Sequence, residues 1–199
     1  MAGSVMDYEN VFLSGDLEKD LKAFKEIFKN DATFRVKRIS ARKSVSFNAA
    51  VLYIDGMVDS QQLNEAVVKP LLEMNVKDDS ESLCEYVERQ LLFAGDVKPQ
   101  NKLSDILTSV LYGEALLLID GSETALILDV KGWDTRGISE PENERILQGP
   151  REGFEEASLL NLAMLRRKLL TPDLHIENSK VGRRSNTTVY ICYLNTLVN

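Results

Sequence analysis

An α+β fold with two small subdomains, each a short mixed sheet packed with helices, is what this sequence predicts, and three observations carry it. Segments with apolar residues at helical spacing are interleaved with short apolar runs that read as strands. The strand-like runs come in neighbouring pairs, with turn formers such as Asp55-Gly56 and Gly121-Ser122 at their ends. Between two groups of elements, the polar stretch NVKDDS at 75–80 breaks the apolar pattern.

The stretch SGDLEKDLKAFKEIFKN places Leu17, Leu21, Phe24 and Phe28 on one face of a helix, with Ser14 or Asp16 available as its N-cap. TFRVKRIS and VSFNAAVLYIDG follow as strands. A second helix from Asp59 to about Lys69 carries Leu63, Val67 and Leu71, with Pro70 disturbing its end. These elements make an αββα subdomain over 7–75. Residues 76–80 are a candidate hinge, with a plain surface loop as the alternative.

The second subdomain, 81–199, reads ααββ, loop, αββ and carries the GPREGF segment. Helical spacing resumes at Leu83, Val87, Leu91 and Leu92, GDVKPQN forms a connection, and Leu103 to Tyr112 is a further helix. EALLLID and TALILDV are apolar throughout, so that hairpin is expected at the centre of a sheet covered on both faces. From Lys131 to Arg151 the chain is irregular and holds Trp133; a stretch of this length either carries function or conceals a short strand, for which ENERILQ is the best candidate. A helix from Gly153 to Leu169 leads to the strands DLHIENSKV and TTVYICYL, joined around GRRSN.

With 199 residues, 44% of them hydrophobic and 28% charged, the chain can build one sizeable core or two small ones. A net charge of -7 argues against nucleic acid or an anionic membrane as an electrostatic partner. Cys84 and Cys192 sit far apart in apolar settings and read as buried free thiols, a pattern suited to a reducing compartment. No apolar run is long enough to span a bilayer, and the first residues hold no signal region.

The single histidine, His175, supplies neither a metal site nor a triad by itself. CxxC spacing, a phosphate-binding loop and a dinucleotide fingerprint are all missing. The expectation is a protein that is not an enzyme, with no cofactor and no metal.

The residues that draw attention lie late in the chain. Gly149 permits unusual backbone angles, Pro150 stiffens the approach, and Gly153 allows a tight turn before Phe154 anchors the following helix in a core. This is a structural joint. Arg151, beside free N–H groups at a helix start, suits an anion or a partner carboxylate. Glu152, Glu155 and Glu156 oppose a phosphate there, which favours internal pairing of Arg151. Arg166, Arg167 and Lys168 complement the negative end of the helix. Solvated surface is the default for them, and a single basic patch with Arg183 and Arg184 is the alternative. The helix itself is apolar around more than one stripe, so it is either central to the domain or turns a face to another domain or subunit.

The segment ISEPENERILQGPREGFEEASLLNLAMLRRKLL resembles the signature region of the A subunits of bacterial spore germinant receptors, the GerA family. Carrying the resemblance are Glu140-Pro141, Glu144, the run from Gly149 through Phe154, Asn161 and Arg166-Arg167; VGRRSNTTVYICYL resembles the strand-turn-strand that follows in that family. Glu155, Lys168 and Leu159-Leu160 depart from the common pattern. The resemblance implies a soluble domain on the cytoplasmic, spore-core side of the spore inner membrane, joined to that membrane by segments absent from this chain. It implies receptor B and C subunits and other A subunits as partners, no nucleic acid, and a role in assembly and in signal relay or gating during nutrient-triggered germination. The alternative is a small-molecule (germinant) sensor with its ligand between the subdomains. Gly149, Pro150, Arg151, Glu152, Gly153, Phe154, Asn161, Arg166 and Arg167 are the candidate joint or partner contacts, and Lys168, Arg183 and Arg184 a secondary basic patch.

Overall fold

The computed structural model describes residues 4–41, 47–74, 83–90, 96–132 and 153–198. The hinge expected at 76–80, Trp133, ENERILQ and the residues Gly149 to Glu152 lie outside them.

The fold is α+β. Five strands, β1 (Phe34–Ala41), β2 (Phe47–Ile54), β3 (Val97–Gln100), β4 (Ala115–Ile119) and β5 (Ala125–Leu128), form one sheet in the order β1-β2-β4-β5-β3. Every pairing in it is antiparallel. β2 and β4 are hydrogen-bonded neighbours, with Val51 opposite Leu117. That pairing corrects the expected division at 76–80, because strands assigned to separate subdomains belong to the same sheet. The polar interruption punctuates the chain without dividing the core.

Burial follows the pleat. On β2, Ala49 and Val51 face one cluster and Ala50, Leu52 and Ile54 the other, while β4 divides Ala115, Leu117 and Ile119 from Leu116 and Leu118 in the same way. The hairpin of β4 and β5 is thus central and covered on both faces, as its continuous apolar character requires. One cover is α1 (Leu17–Ile27) with α5 (Leu103–Leu111); the other is α2 (Ser60–Gln62), the π-helical Leu63–Val68, α3 (Lys69–Glu73) and α4 (Leu83–Gln90). Asp16 caps α1 by accepting from the Glu18 and Lys19 N–H groups, whereas Ser14 turns to Asp20.

Two local readings change. The second helix does not stop at Pro70 but passes through it to Glu73, and the wide π turn precedes the proline. Such a turn accommodates a ring that lacks an N–H and crowds the carbonyl four residues back. VKPQ, expected in a connection, is β3, an edge strand with Pro99 opposite Leu126. A proline is tolerated there because one side of the strand needs no partner.

The remainder is a C-terminal unit of α6 (Ser158–Lys168) and the antiparallel hairpin β6 (Leu174–Val181) and β7 (Thr187–Leu194). Leu162 of α6 packs with Leu174 and Ile176, against which Tyr190, Cys192 and Leu194 are partly buried. The next residue, Ala163, joins the core of the large sheet. Helix α6 therefore wedges between hairpin and sheet.

Candidate functional site

The joint between the two units is built on a turn. After α1 the chain enters the left-handed region at Asn30 (φ 62°) and presents Asp31. Strand β6 docks beside this turn, with the Ala32 N–H donating to the Ile176 carbonyl at 2.7 Å and the Ile176 N–H to the Asn30 carbonyl at 3.0 Å. Backbone pairing alone would leave Asp31 a buried charge. Arg166, from the wedge helix, answers it.

The Arg166 Nη2 lies 2.6 Å from Asp31 Oδ2, and both side chains are only 1% exposed. Asp31 Oδ1 also accepts from the Thr33 N–H at 2.8 Å and its hydroxyl at 2.6 Å. The same guanidinium donates to the carbonyls of Thr171 at 2.8 Å and Leu174 at 3.0 Å, and so ties together the end of α6, the start of β6 and the α1–β1 turn. Burial pushes the Arg166 pKa down and the Asp31 carboxylate opposes that shift. A buried pair of this kind holds as long as both partners stay; loss of either leaves an uncompensated charge. Beside it the Cys192 thiol is pushed up by burial, partly offset by Arg166. Cys192 and Cys84 are both free.

Other expected residues fall in different places. Asn161 has a defined role: its Oδ1 accepts from the Glu155 N–H and its Nδ2 donates to the Glu155 carbonyl, both at 2.7 Å. This reciprocal pair fixes the chain entering α6. The helix begins at Ser158, not Gly153, so Glu155 and Glu156 lie ahead of its first turn. Phe154, expected to anchor the helix in a core, is 68% exposed. Arg166, expected on a solvated basic face, is among the largest fully buried side chains. Arg167 is half-buried and Lys168 exposed.

Arg183 and Arg184 occupy the β6–β7 turn. That turn is seven residues along β6 from Leu174, about 23 Å at the usual strand rise. Sequence reading missed Asp31, for which KNDATF gives no sign of burial. The spacing Leu162, Ala163, Arg166 is the signal that placed the arginine on the inner face of its helix.

Alongside the joint runs a groove of 680 Å³, lined among others by Tyr8, Glu26, Asn30, Asp173, His175 and Asn195. His175 stacks edge-on against Tyr193, whose hydroxyl donates to Glu177 at 2.6 Å. The Asp173 carboxylate is engaged by the Thr196 N–H and hydroxyl. Among the described residues, no group of three or more His, Cys, Asp and Glu side chains is arranged to hold a metal ion. No helix there is long and apolar enough to cross a membrane.

Fold and site together define a three-layer α/β/α module linked to a helix–hairpin unit by a buried ion pair. The chain belongs to the Bacillus/Clostridium GerA spore germination protein family, which matches residues 22–199. It is 28% identical to spore germination protein KA of Bacillus subtilis over 92% of this chain and 34% of that protein. With spore germination protein GerLA of Bacillus cereus it shares 25% identity over 94% of this chain and 38% of that protein. The chain thus spans about a third of the length of the curated relatives it matches. The crystal structure of the N-terminal domain of the A subunit of the Bacillus megaterium spore germinant receptor GerK3 superposes with a TM-score of 0.74 at 28% identity, over 94% of this chain and 68% of that one.

Proposed function

We propose that this chain is the N-terminal module of a germinant-receptor A subunit, that it has no catalytic task, and that it works in receptor assembly and signal relay. The observation that carries the relay is the Asp31–Arg166 pair. It is the one fully buried ion pair among the described residues, and it couples the sheet body to the helix–hairpin unit through three backbone segments. Such a joint responds in steps, because a desolvated pair is either made or broken. In this reading the parent subunit reaches the spore inner membrane through further sequence, meets B, C and other A subunits there, and keeps this module on the core side. The free thiols agree with that reducing side.

The test places Asp31→Asn, Arg166→Met and the double substitution in the full-length subunit and follows germination of spores against nutrient concentration, with receptor abundance measured in the same spores. A relay predicts that both single variants shift the response at normal abundance. An unchanged response with the pair broken and the subunit present would end the relay reading.

The groove of 680 Å³ beside the joint favours a second reading, a small-molecule sensor closing between the two units. Calorimetric titration of the module with candidate nutrients checks it. Saturable heat that disappears in His175→Ala supports sensing, and no heat across the panel rejects it.

A further inference from the structure

The net charge of -7 hides a segregation. No Asp or Glu follows Glu177 in the sequence, and Lys180, Arg183 and Arg184 lie close together just after it. All three are exposed at the far end of the β6–β7 hairpin. Elsewhere Lys29, Arg35, Arg38, Lys98, Lys102, Lys131 and Arg166 find carboxylates, but among the described residues none of these three forms an ion pair. A chain with a surplus of acids thus leaves three bare cations at a single tip. That tip is held in shape. Its turn closes through the Asn186 N–H, which donates to the Gly182 carbonyl at 3.0 Å, with Gly182 (φ 88°) and Asn186 (φ 48°) in the left-handed region. Arg183 and Arg184 form its crest. Below them, on the face turned away from Leu162, Val181 is 55%, Val189 40% and Ile191 56% exposed. The acid of that face, Glu177, lies farther from the crest and accepts from the Tyr193 hydroxyl at 2.6 Å.

We propose that the hairpin tip docks on an anionic lipid surface, with Arg183 and Arg184 on headgroup phosphates and Val181 and Val189 reaching the boundary beneath them. A guanidinium meets a phosphate oxygen pair through two N–H groups at once. Apolar side chains set beside cations suit the zone where headgroups give way to acyl chains. The charge of the tip complements such a surface although the charge of the whole chain does not, because screening confines each interaction to about 8–10 Å. Each cation near an anionic bilayer is worth roughly a fivefold gain in binding. Nucleic acid is the poorer match. It rewards many more phosphate contacts and aromatic stacking, whereas Tyr190 and Tyr193 are half-buried farther down the hairpin.

Flotation of the 199-residue chain with lipid vesicles tests the proposal. At low salt the chain should rise with vesicles of phosphatidylglycerol and phosphatidylcholine in equal parts, and stay behind with phosphatidylcholine alone. Arg183→Glu with Arg184→Glu should weaken that partition at least about tenfold. Lys22→Glu with Lys25→Glu makes the same change of net charge on the exposed face of α1 and should leave most of the binding in place. Far-ultraviolet circular dichroism confirms that both variants fold. No partition of the folded chain onto the anionic vesicles overturns the proposal, and that includes the case in which other residues of this chain occupy the tip. Equal partition onto phosphatidylcholine overturns it too, as does a loss in the α1 variant as large as in the tip variant. Tighter binding of single-stranded RNA than of the anionic vesicles at the same salt assigns the cations to another ligand and has the same force. None of these outcomes depends on whether the Asp31–Arg166 joint relays a signal.

Discussion

Asp31→Asn keeps the size of the side chain and its hydrogen-bonding contact with Thr33 while removing the charge that faces Arg166. The Thr33 N–H and hydroxyl hold one oxygen in place, so the new amide nitrogen points at the Nη2 that the carboxylate met at 2.6 Å. Arg166 keeps the Thr171 and Leu174 carbonyls but loses its counter-charge at 1% exposure. Breaking a buried pair from one side costs about 3–5 kcal/mol. At about 2–4 °C per kcal/mol for a chain of this size, the melting temperature should fall by roughly 10 °C. Arg166→Met should cost a similar amount, because it strands the carboxylate and two carbonyls. The double variant removes both charges and should recover about 2 kcal/mol or more of the summed loss as coupling. Urea unfolding followed by far-ultraviolet circular dichroism measures all three, with an unchanged denaturant slope showing that only stability moved. A single-variant loss under about 1 kcal/mol, or strictly additive losses, would refute the account of the joint.

Gly132→Ala should be strongly destabilising and reduce soluble yield, because a Cβ there would collide with the Asp59 nitrogen next to the bridge that pairs Val58 with Lys131. Phe154→Ser should change stability by less than about 0.5 kcal/mol, since the ring is already exposed; thermal melts check it. Asn161→Ala removes both bonds to Glu155 and should speed cleavage by a glutamyl endopeptidase at Glu155 and Glu156, with cleavage at Glu18 and Glu26 of α1 unchanged. Burial raises the pKa of both thiols, so the fold favours their neutral form. Their contribution is complete below the ordinary thiol value of about 8.5 and declines as pH rises through the folded values. Stability should therefore fall above about pH 8.5, and Cys84→Ala with Cys192→Ala should flatten that decline before the tyrosines titrate.

The parts of the fold legible in the sequence are those where local pattern and burial agree. EALLLID and TALILDV are apolar on both faces because helices cover both, and the spacing in α1 shows its single buried face directly. What stayed hidden depends on partners distant in sequence. Nothing local says that β2 pairs with β4 across more than sixty residues, so a polar interruption passes for a domain boundary when the chain only leaves the sheet and returns. Lys98 and Pro99 make β3 look like a loop because an edge strand is released from the demands that make central strands recognisable. The joint is the extreme case. Arg166 sits in a run of three cations that reads as solvated, and its partner lies 135 residues earlier in a turn of polar residues. A charge becomes buried only when a specific opposite charge is delivered to it, and that delivery is a property of the assembled fold. The family motif drew attention to Arg166 without revealing its work, whereas the helical spacing Leu162, Ala163, Arg166 already put the guanidinium on the face that the hairpin and sheet enclose.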